Sequence, residues 1–272
     1  MHLALPFPLE AWSPFGDLAH GRAVRVAMST RGGGVSPPPF DTLNVGDHVG
    51  DDAEAVAANR RAWAQSVGMK PVWMRQVHGR EVVALHEAVA DVPVADAAWS
   101  AKSGVACAVM VADCLPVLFA HRHRPLVAAA HAGWRGLVGE GGRGVLEATV
   151  AALAQAAGQS LADCARDLLV WLGPCIGPQA FEVGPEVHEA FVAAAAEDAR
   201  CFSAAARAHH HCADLAGLAR ARLARAGVVT CLGNDSSPAW CTFSQTEHYF
   251  SHRRDASVLG STGRMVAAIA LS

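Results

Sequence analysis

The chain has 272 residues, 52% of them hydrophobic and 17% charged, with 22 Lys or Arg against 25 Asp or Glu and a formal net charge of −3. That length is enough to bury a full core, and the balanced, dispersed charge excludes an electrostatic footprint for DNA or RNA. Eight cysteines without a CxxC pair, in a chain this long and apolar, read as buried thiols or metal ligands of a reduced, cytoplasmic protein rather than as a disulfide framework.

Met1 to His20 lacks the basic n-region and long apolar h-region of a secretory signal, so no export is expected. Residues Ala23 to Thr30 form the first predicted strand. Asp51-Asp52 then opens a helical stretch to Val67 that stops at Gly68. Strands follow at Val72 to Val77, Glu81 to Leu85, Val105 to Val111, Leu115 to Ala120 and Leu126 to Ala130. The apolar runs on either side of Asp113 are far too short to cross a bilayer.

In the second half, an alanine-rich helix is predicted over Gly141 to Ala157, ending at Gly158, and a strand over Leu168 to Leu172. Further helices are predicted at Pro185 to Ala199, where Val187, Phe191 and Ala194 have helical spacing, and at Asp214 to Ala226 before Gly227. Strands at Val228 to Leu232 and Met265 to Leu271 complete the chain. Nearly continuous apolar strands demand cover on both faces, which implies a layered α/β fold. No repeat or long linker divides the chain, so residues 1–272 are expected to form a single domain, compatible with a monomer.

Four segments combine tight-turn residues with reactive side chains: Ser29 to Ser36 (STRGGGVS), Arg75 to Gly79 (RQVHG), Ala112 to Pro116 (ADCLP) and His131 to Gly136 (HAGWRG). His131 and Arg135 follow an apolar strand and precede a helix expected beyond Gly139. Open α/β sheets bind ligands at such strand ends, and Arg135 offers a planar fork of donors for phosphate. Cys114 and His78 also end strands beside Pro116 and Gly79. Three borderline ligands so placed suit a tetrahedral zinc with one open position, the mark of a catalytic metal. The 35 and 16 intervening residues are no local ligand signature, however, and spacing alone favours the plainer reading of a packed thiol and solvated or hydrogen-bonded histidines.

Other features have plainer readings beside the chemical one. His209-His210-His211 fits a solvated loop, and His121-Arg122-His123 a turn between strands. Cys107, Cys164, Cys201, Cys212 and Cys231 are assigned to packing. Arg31-Gly32-Gly33-Gly34 is either a backbone cradle for phosphate or an ordinary turn. Glu182 and Asp113 are either proton carriers or structural carboxylates.

Taken together, the sequence resembles the YfiH family, also described as the laccase-domain or multicopper polyphenol oxidase family. The resemblance rests on TRGGGVS, on PFDTLNVGDHVGDD from Pro39 to Asp52, on Asn59-Arg60, QVHG, ADCLPV and HAGWRG, and on GPCIGPQAFEVG from Gly173 to Gly184. YFSHRRD from Tyr249 to Asp255 and TGRM from Thr262 to Met265 complete it. It implies zinc ligands at His78, Cys114 and His131, with copper as the other metal. It also implies a YfiH-like α/β (mixed α+β) fold, with a mixed sheet flanked by helices, and an activity on purine nucleosides, with phosphate as co-substrate. Adenosine, inosine and methylthioadenosine would be phosphorolysed and adenosine also deaminated. His252 departs from the tyrosine usual in the family, and Ser257 to Ser261 resembles a short insertion.

On this reading Cys114, His131, Arg135 and Arg31 are expected to serve catalysis, and Arg31, Gly33, Asn44, Arg135 and Glu182 to contact substrate. Zinc would activate water for deamination at purine C6, while Arg31 and Arg135 would hold phosphate in line with the glycosidic carbon. Rival readings are a cysteine hydrolase or amidase editing muropeptide precursors with Cys114 as nucleophile, a copper-dependent polyphenol oxidase, and a metal-stabilised interaction module. The chain lacks the repeated His-x-His copies expected of a multi-copper centre.

Overall fold

Strands that are apolar on both faces need two covering layers, and two stacked sheets with helices outside them supply these layers. The structure, a computed structural model, describes Leu18, Gly21 and residues 23–86 and 92–272. The N-terminal stretch read above for an export signal lies, Leu18 apart, outside the described residues.

One sheet contains β1 (Val24–Met28), β2 (Lys70–Val72), β5 (Val105–Val111) and β13 (Met265–Leu271) in the order β1-β13-β5-β2. The larger one contains β3 (Val82–Ala84), β4 (Ala97–Ser100), β6 (Leu115–His121), β7 (Val127–Ala132), β8 (Leu168–Leu172) and β12 (Thr230–Gly233) in the order β12-β8-β6-β7-β4-β3. Both are mixed: β2 runs parallel to β5 and β12 to β8, whereas β6 and β7 pair antiparallel. A small antiparallel sheet joins β9 (Glu182–Val183), β10 (Phe202–Ala204) and β11 (His211–Ala213).

The period of two along each strand builds the layers. In β13, Met265, Ala267, Ile269 and Leu271 enter the core between the sheets, while Val266, Ala268 and Ala270 pack outward with Trp63 of α1 (Ala53–Val67). In β6, Leu118 and Ala120 face the other sheet. Leu115, Val117 and Phe119 face the layer formed by α3 (Val145–Ala157), α4 (Leu161–Asp167), α5 (Pro185–Ala194) and α6 (Leu215–Arg225). The result is an α/β/β/α stack, and Trp63, Phe119 and Phe191 are each almost wholly buried. Among the described residues no helix is long and apolar enough to cross a membrane.

Several boundaries follow the sequence signals. Asp52 caps α1 by accepting from Ala55 N at 2.8 Å, and Gly68 ends that helix with φ +63°. Others are corrected. The strand expected at Val72 to Val77 stops at Val72, because Gln76 uses its side-chain amide to pair with both N and O of Met110 and the next three amides turn away to Asp96. The helix expected from Gly141 begins at Val145, after Gly139, Gly141 and Gly142 adopt positive φ. That expected to Ala199 ends at Ala194 and passes into a 3-10 turn. A helix, α2 (Trp134–Val138), starts directly after Gly133 instead of beyond Gly139. Also unforeseen were α4, β4, the small sheet and α7 (His252–Leu259).

Candidate metal centre

Three chain turns bring the reactive side chains together at the ends of β5, β7 and the loop after β2. Asp113 takes φ +84°, a conformation L residues rarely adopt, and is held there by its own carboxylate. Thr242 Oγ1 donates to Oδ1 at 2.6 Å, Arg253 N donates to Oδ2 at 2.7 Å, and Ile176 N donates to the Asp113 carbonyl at 2.9 Å. The turn so fixed presents Cys114, half-buried, just ahead of β6. Both carboxylate oxygens of Asp113 thus accept hydrogen bonds that hold the turn.

His78 also has positive φ, +59°, and its loop is pinned by one fully buried side chain, Asp96. The Asp96 carboxylate accepts from the backbone N–H groups of Val77, His78 and Gly79 at 3.1, 2.9 and 2.7 Å. It also lies 2.8 Å from His131 Nδ1, while its carbonyl accepts from His131 N at 2.7 Å. Burial alone would raise the Asp96 pKa, but the hydrogen bond and charge of His131, then the Gly79 and Val77 amides, hold it below the usual carboxylate range. An ionised Asp96 makes Nδ1 of His131 the donor and leaves Nε2 as its ligand atom.

Cys114 Sγ lies 3.8 Å from His78 Nε2, the His78 and His131 rings are 4.8 Å apart and tilted by 74°, and all three ligand atoms fall within 4.8 Å of one another. Burial would push the Cys114 thiol up, yet the charge and hydrogen bond of His131, followed by those of His78, bring it down to about 6. Burial opposes a charge on His131, but Cys114 and Asp96 outweigh it and raise the imidazole to about 9. One thiolate and two imidazoles, one of them oriented by a carboxylate, could hold a zinc or copper ion and leave a coordination position open.

The glycines of HAGWRG have a steric reason. A Cβ on Gly133 would lie 2.8 Å from His78 Cδ2 and 3.0 Å from Cys114 Sγ, and one on Gly136 would lie 2.6 Å from the Gly79 carbonyl. Only without those side chains can α2 pack against the His78 loop.

Above the cluster opens a cavity of about 370 Å³ with the three ligands in its wall. Met110, Ile176, Phe181, Leu215 and Trp134 supply apolar surface. His48, Arg135, Arg253, Arg264 and His252 supply polar and cationic surface. Arg135 is exposed, its guanidinium 4.4 Å from the centroid of the Trp134 ring.

Other expected contacts lie elsewhere. Arg31 is not in the cavity wall: Nε and Nη2 donate to the carbonyl and carboxylate of Asp41, Nη1 donates to the Thr246 carbonyl, and the guanidinium stacks 5.0 Å from the Phe250 ring. Three of its five N–H donors are engaged by the fold. In the glycine loop, Gly34 N and Val35 N donate to Thr42 Oγ1 and Asn59 Oδ1, and Gly33 lies outside the wall. Asn44 is fully buried and bonds to Gly46, Asp51 and Arg264 N. Glu182 is also outside the wall, although its carbonyl accepts from Arg253 Nη1 at 2.8 Å.

His209 lies exposed with φ +63°, whereas His211 stacks on His188 at 4.2 Å in β11, so the triplet is only in part a loop. His121 is buried and accepts from His123 N and Arg124 N in a turn after β6. All eight cysteines are free. Sequence reasoning missed Asp96, which carries no motif of its own, and passed over His48, Arg253 and Arg264 although they lie within quoted motifs; His252, noted as a departure from the family's tyrosine, lines the cavity.

A family model described as multi-copper polyphenol oxidoreductase laccase matches residues 25–272. A Pseudomonas aeruginosa protein named purine nucleoside phosphorylase is 48% identical over 246 residues, covering 90% of this chain and 93% of that one. Purine nucleoside phosphorylase YfiH of Escherichia coli is 46% identical over 250 residues, covering 91% and 94%. A crystal structure of a Neisseria meningitidis protein superposes with a TM-score of 0.81 at 39% identity, covering 100% and 98%. The hypothetical protein YfiH of Bacillus licheniformis gives 0.80 at 28%, covering 92% and 93%.

Proposed function

The chain belongs to the YfiH family of laccase-like domains, and from that premise we propose that it is a zinc-dependent purine nucleoside phosphorylase acting on adenosine, inosine and methylthioadenosine, with adenosine deamination as a further activity. The observation that carries this reading is the His78–Cys114–His131 cluster in the wall of a cavity with both apolar and cationic surface. A purine nucleoside has a flat aromatic base and a polar sugar, and its co-substrate is an anion. We take residues 1–272 as one catalytic domain, working on small molecules in the cytoplasm, where free thiols persist.

The donor set fits zinc, with Asp96 fixing the tautomer of His131. When bound, the ion would supply a Lewis acid in the cavity wall. Trp134, Phe181 and Ile176 offer apolar surface against the purine, and Arg135 at the rim offers donors to phosphate. In phosphorolysis a phosphate oxygen bonds to C1′ as the C1′–N9 bond breaks. The electron pair leaves with the base, which takes up the proton that hydrogen phosphate carried. In deamination, water adds at C6 and ammonia departs, giving inosine.

Inosine incubated with the zinc-loaded chain should yield equal amounts of hypoxanthine and ribose 1-phosphate, and neither without phosphate. Release of free ribose, or no release of base, would reject phosphorolysis.

A second reading has geometric support: Cys114, His131 and Asp96 form a nucleophile, base and orienting carboxylate, as a cysteine hydrolase needs. A metal-free chain that turns over substrate through a covalent adduct on Cys114 would favour it.

A further inference from the structure

The arginines around the cavity differ chiefly in burial. Arg253 is exposed, gives Nη1 to the carbonyls of Ala180 and Glu182 and rests 5.6 Å from the Phe181 ring centroid. Arg135 lies exposed against Trp134. Arg264, just ahead of β13, is half-buried in the cavity wall. Its Nη1 donates to the carbonyls of Thr262 and Gly263 at 2.9 and 3.1 Å, and among the described residues no carboxylate forms an ion pair with it. The Nε and Nη2 edge therefore keeps its donors for a ligand. That edge matches the two oxygens of a carboxylate or phosphate in a bidentate contact.

The position of Arg264 is unusually well fixed. Its N donates to Asn44 Oδ1 at 2.8 Å, and its carbonyl accepts from Val45 N at 3.1 Å. Gly46 leaves room for its stem, since a Cβ there would lie 2.7 Å from Arg264 Cγ. The PFDTLNVGD segment thus acts on the site indirectly, with Asn44 positioning Arg264. Burial draws the Arg264 pKa down from its ordinary value, partly offset by the nearby Cys114 and Asp113. His48 lines the same wall, and its own pKa is drawn down by burial and then by the Arg264 charge. A partly buried cation whose nearest carboxylate does not pair with it directly favours an anion that takes up its remaining donors.

We propose that Arg264, with His48 beside it, forms the oxyanion subsite of the cavity, and that it takes the phosphate co-substrate. The identity of the anion rests on the phosphorylase reading; the existence of the subsite does not.

The test is calorimetric titration of inorganic phosphate into the zinc-loaded native chain, Arg264→Gln and Arg264→Lys, alongside inosine phosphorolysis at varied phosphate. Arg264→Gln should weaken phosphate binding and raise the phosphate KM roughly 10–100-fold, with zinc content and the inosine KM little changed. Arg264→Lys keeps stem and charge but not the fork, so it should lose less, and it supplies the same readout if the Gln variant does not fold. Native-like phosphate affinity in a folded Arg264 variant would overturn the subsite, as would a native chain that binds no phosphate. Phosphate binding that depends on Arg264, without any release of base from inosine, would uphold the subsite and reject the phosphorylase reading.

Discussion

The Asp96 carboxylate meets His131 Nδ1 at 2.8 Å and at the same time accepts three backbone N–H groups from the loop that carries His78. One buried side chain thus fixes two ligands of the candidate metal centre, which are 53 positions apart in the chain. Asp96→Asn removes the charge and puts an NH2 where an acceptor is needed. Metal affinity should fall roughly 10–100-fold, and stability by about 1–3 kcal/mol. Chelator competition and denaturant unfolding check both, and native values for both would contradict the role given to Asp96. Because its folded pKa is depressed, the stabilisation from Asp96 is complete above about pH 4 and fades as pH falls through the folded value.

Gly133→Ala tests the packing of α2 on the ligands. Its Cβ would lie 2.8 Å from His78 and 3.0 Å from Cys114, so the ligands must separate. Zinc stoichiometry should drop well below that of the native chain while the far-ultraviolet circular dichroism persists. Gly32→Ala, whose Cβ meets nothing within 4 Å, is the control. Full zinc content in Gly133→Ala would show that the cluster tolerates the extra atom.

Proton release follows from the coupled pair Cys114 and His131. Between about pH 6 and about 9 the metal-free pair is a thiolate and an imidazolium, whereas the two metal ligands are a thiolate and a neutral imidazole, one proton fewer. Zinc binding at pH 7.5 should therefore release at least about one proton per chain, read from calorimetry in buffers of different ionisation enthalpy. The unfolded chain also keeps one proton on these two groups between their ordinary values of 6.5 and 9.0, but on the thiol. The pair consequently adds little pH dependence to folding in that window. Zinc binding without proton release would contradict the thiolate–imidazolium state.

Arg31 and Arg135 should behave oppositely. Arg31→Ala removes donors to Asp41 and Thr246 and should cost about 1–3 kcal/mol of stability while leaving the phosphate requirement unchanged. Arg135→Ala should raise the phosphate requirement about 5–10-fold with zinc binding intact, since one exposed charge-assisted contact is lost. Phosphate saturation curves at fixed inosine, together with thermal unfolding, separate the two. An Arg31→Ala enzyme with a raised phosphate requirement would contradict this division.

Strand periodicity made much of the fold legible, because residues such as Val105 to Val111 and Met265 to Leu271 are buried on both faces and tolerate no polar interruption. Caps did the same for α1. The loop after β2 was misread, since Trp73, Met74 and Val77 carry on the apolar character of the strand while Asp96, distant in sequence, draws the amides of Val77, His78 and Gly79 away. Within the site, His78, Cys114 and His131 stood out by their glycine and proline neighbours. Arg31, Gly34 and Val35 carried the same local signature yet donate to Asp41, Thr42 and Asn59, partners that composition does not reveal. Arg264 went unassigned for the converse reason: its value lies in the carboxylate it lacks.

The most direct test of the central claim is to strip the chain of metal and titrate zinc back while following phosphate-dependent release of hypoxanthine from inosine. Activity should rise linearly and level off at one zinc per chain, and Cys114→Ala should bind and release almost nothing. Full turnover by the metal-free chain, or by Cys114→Ala, would contradict it.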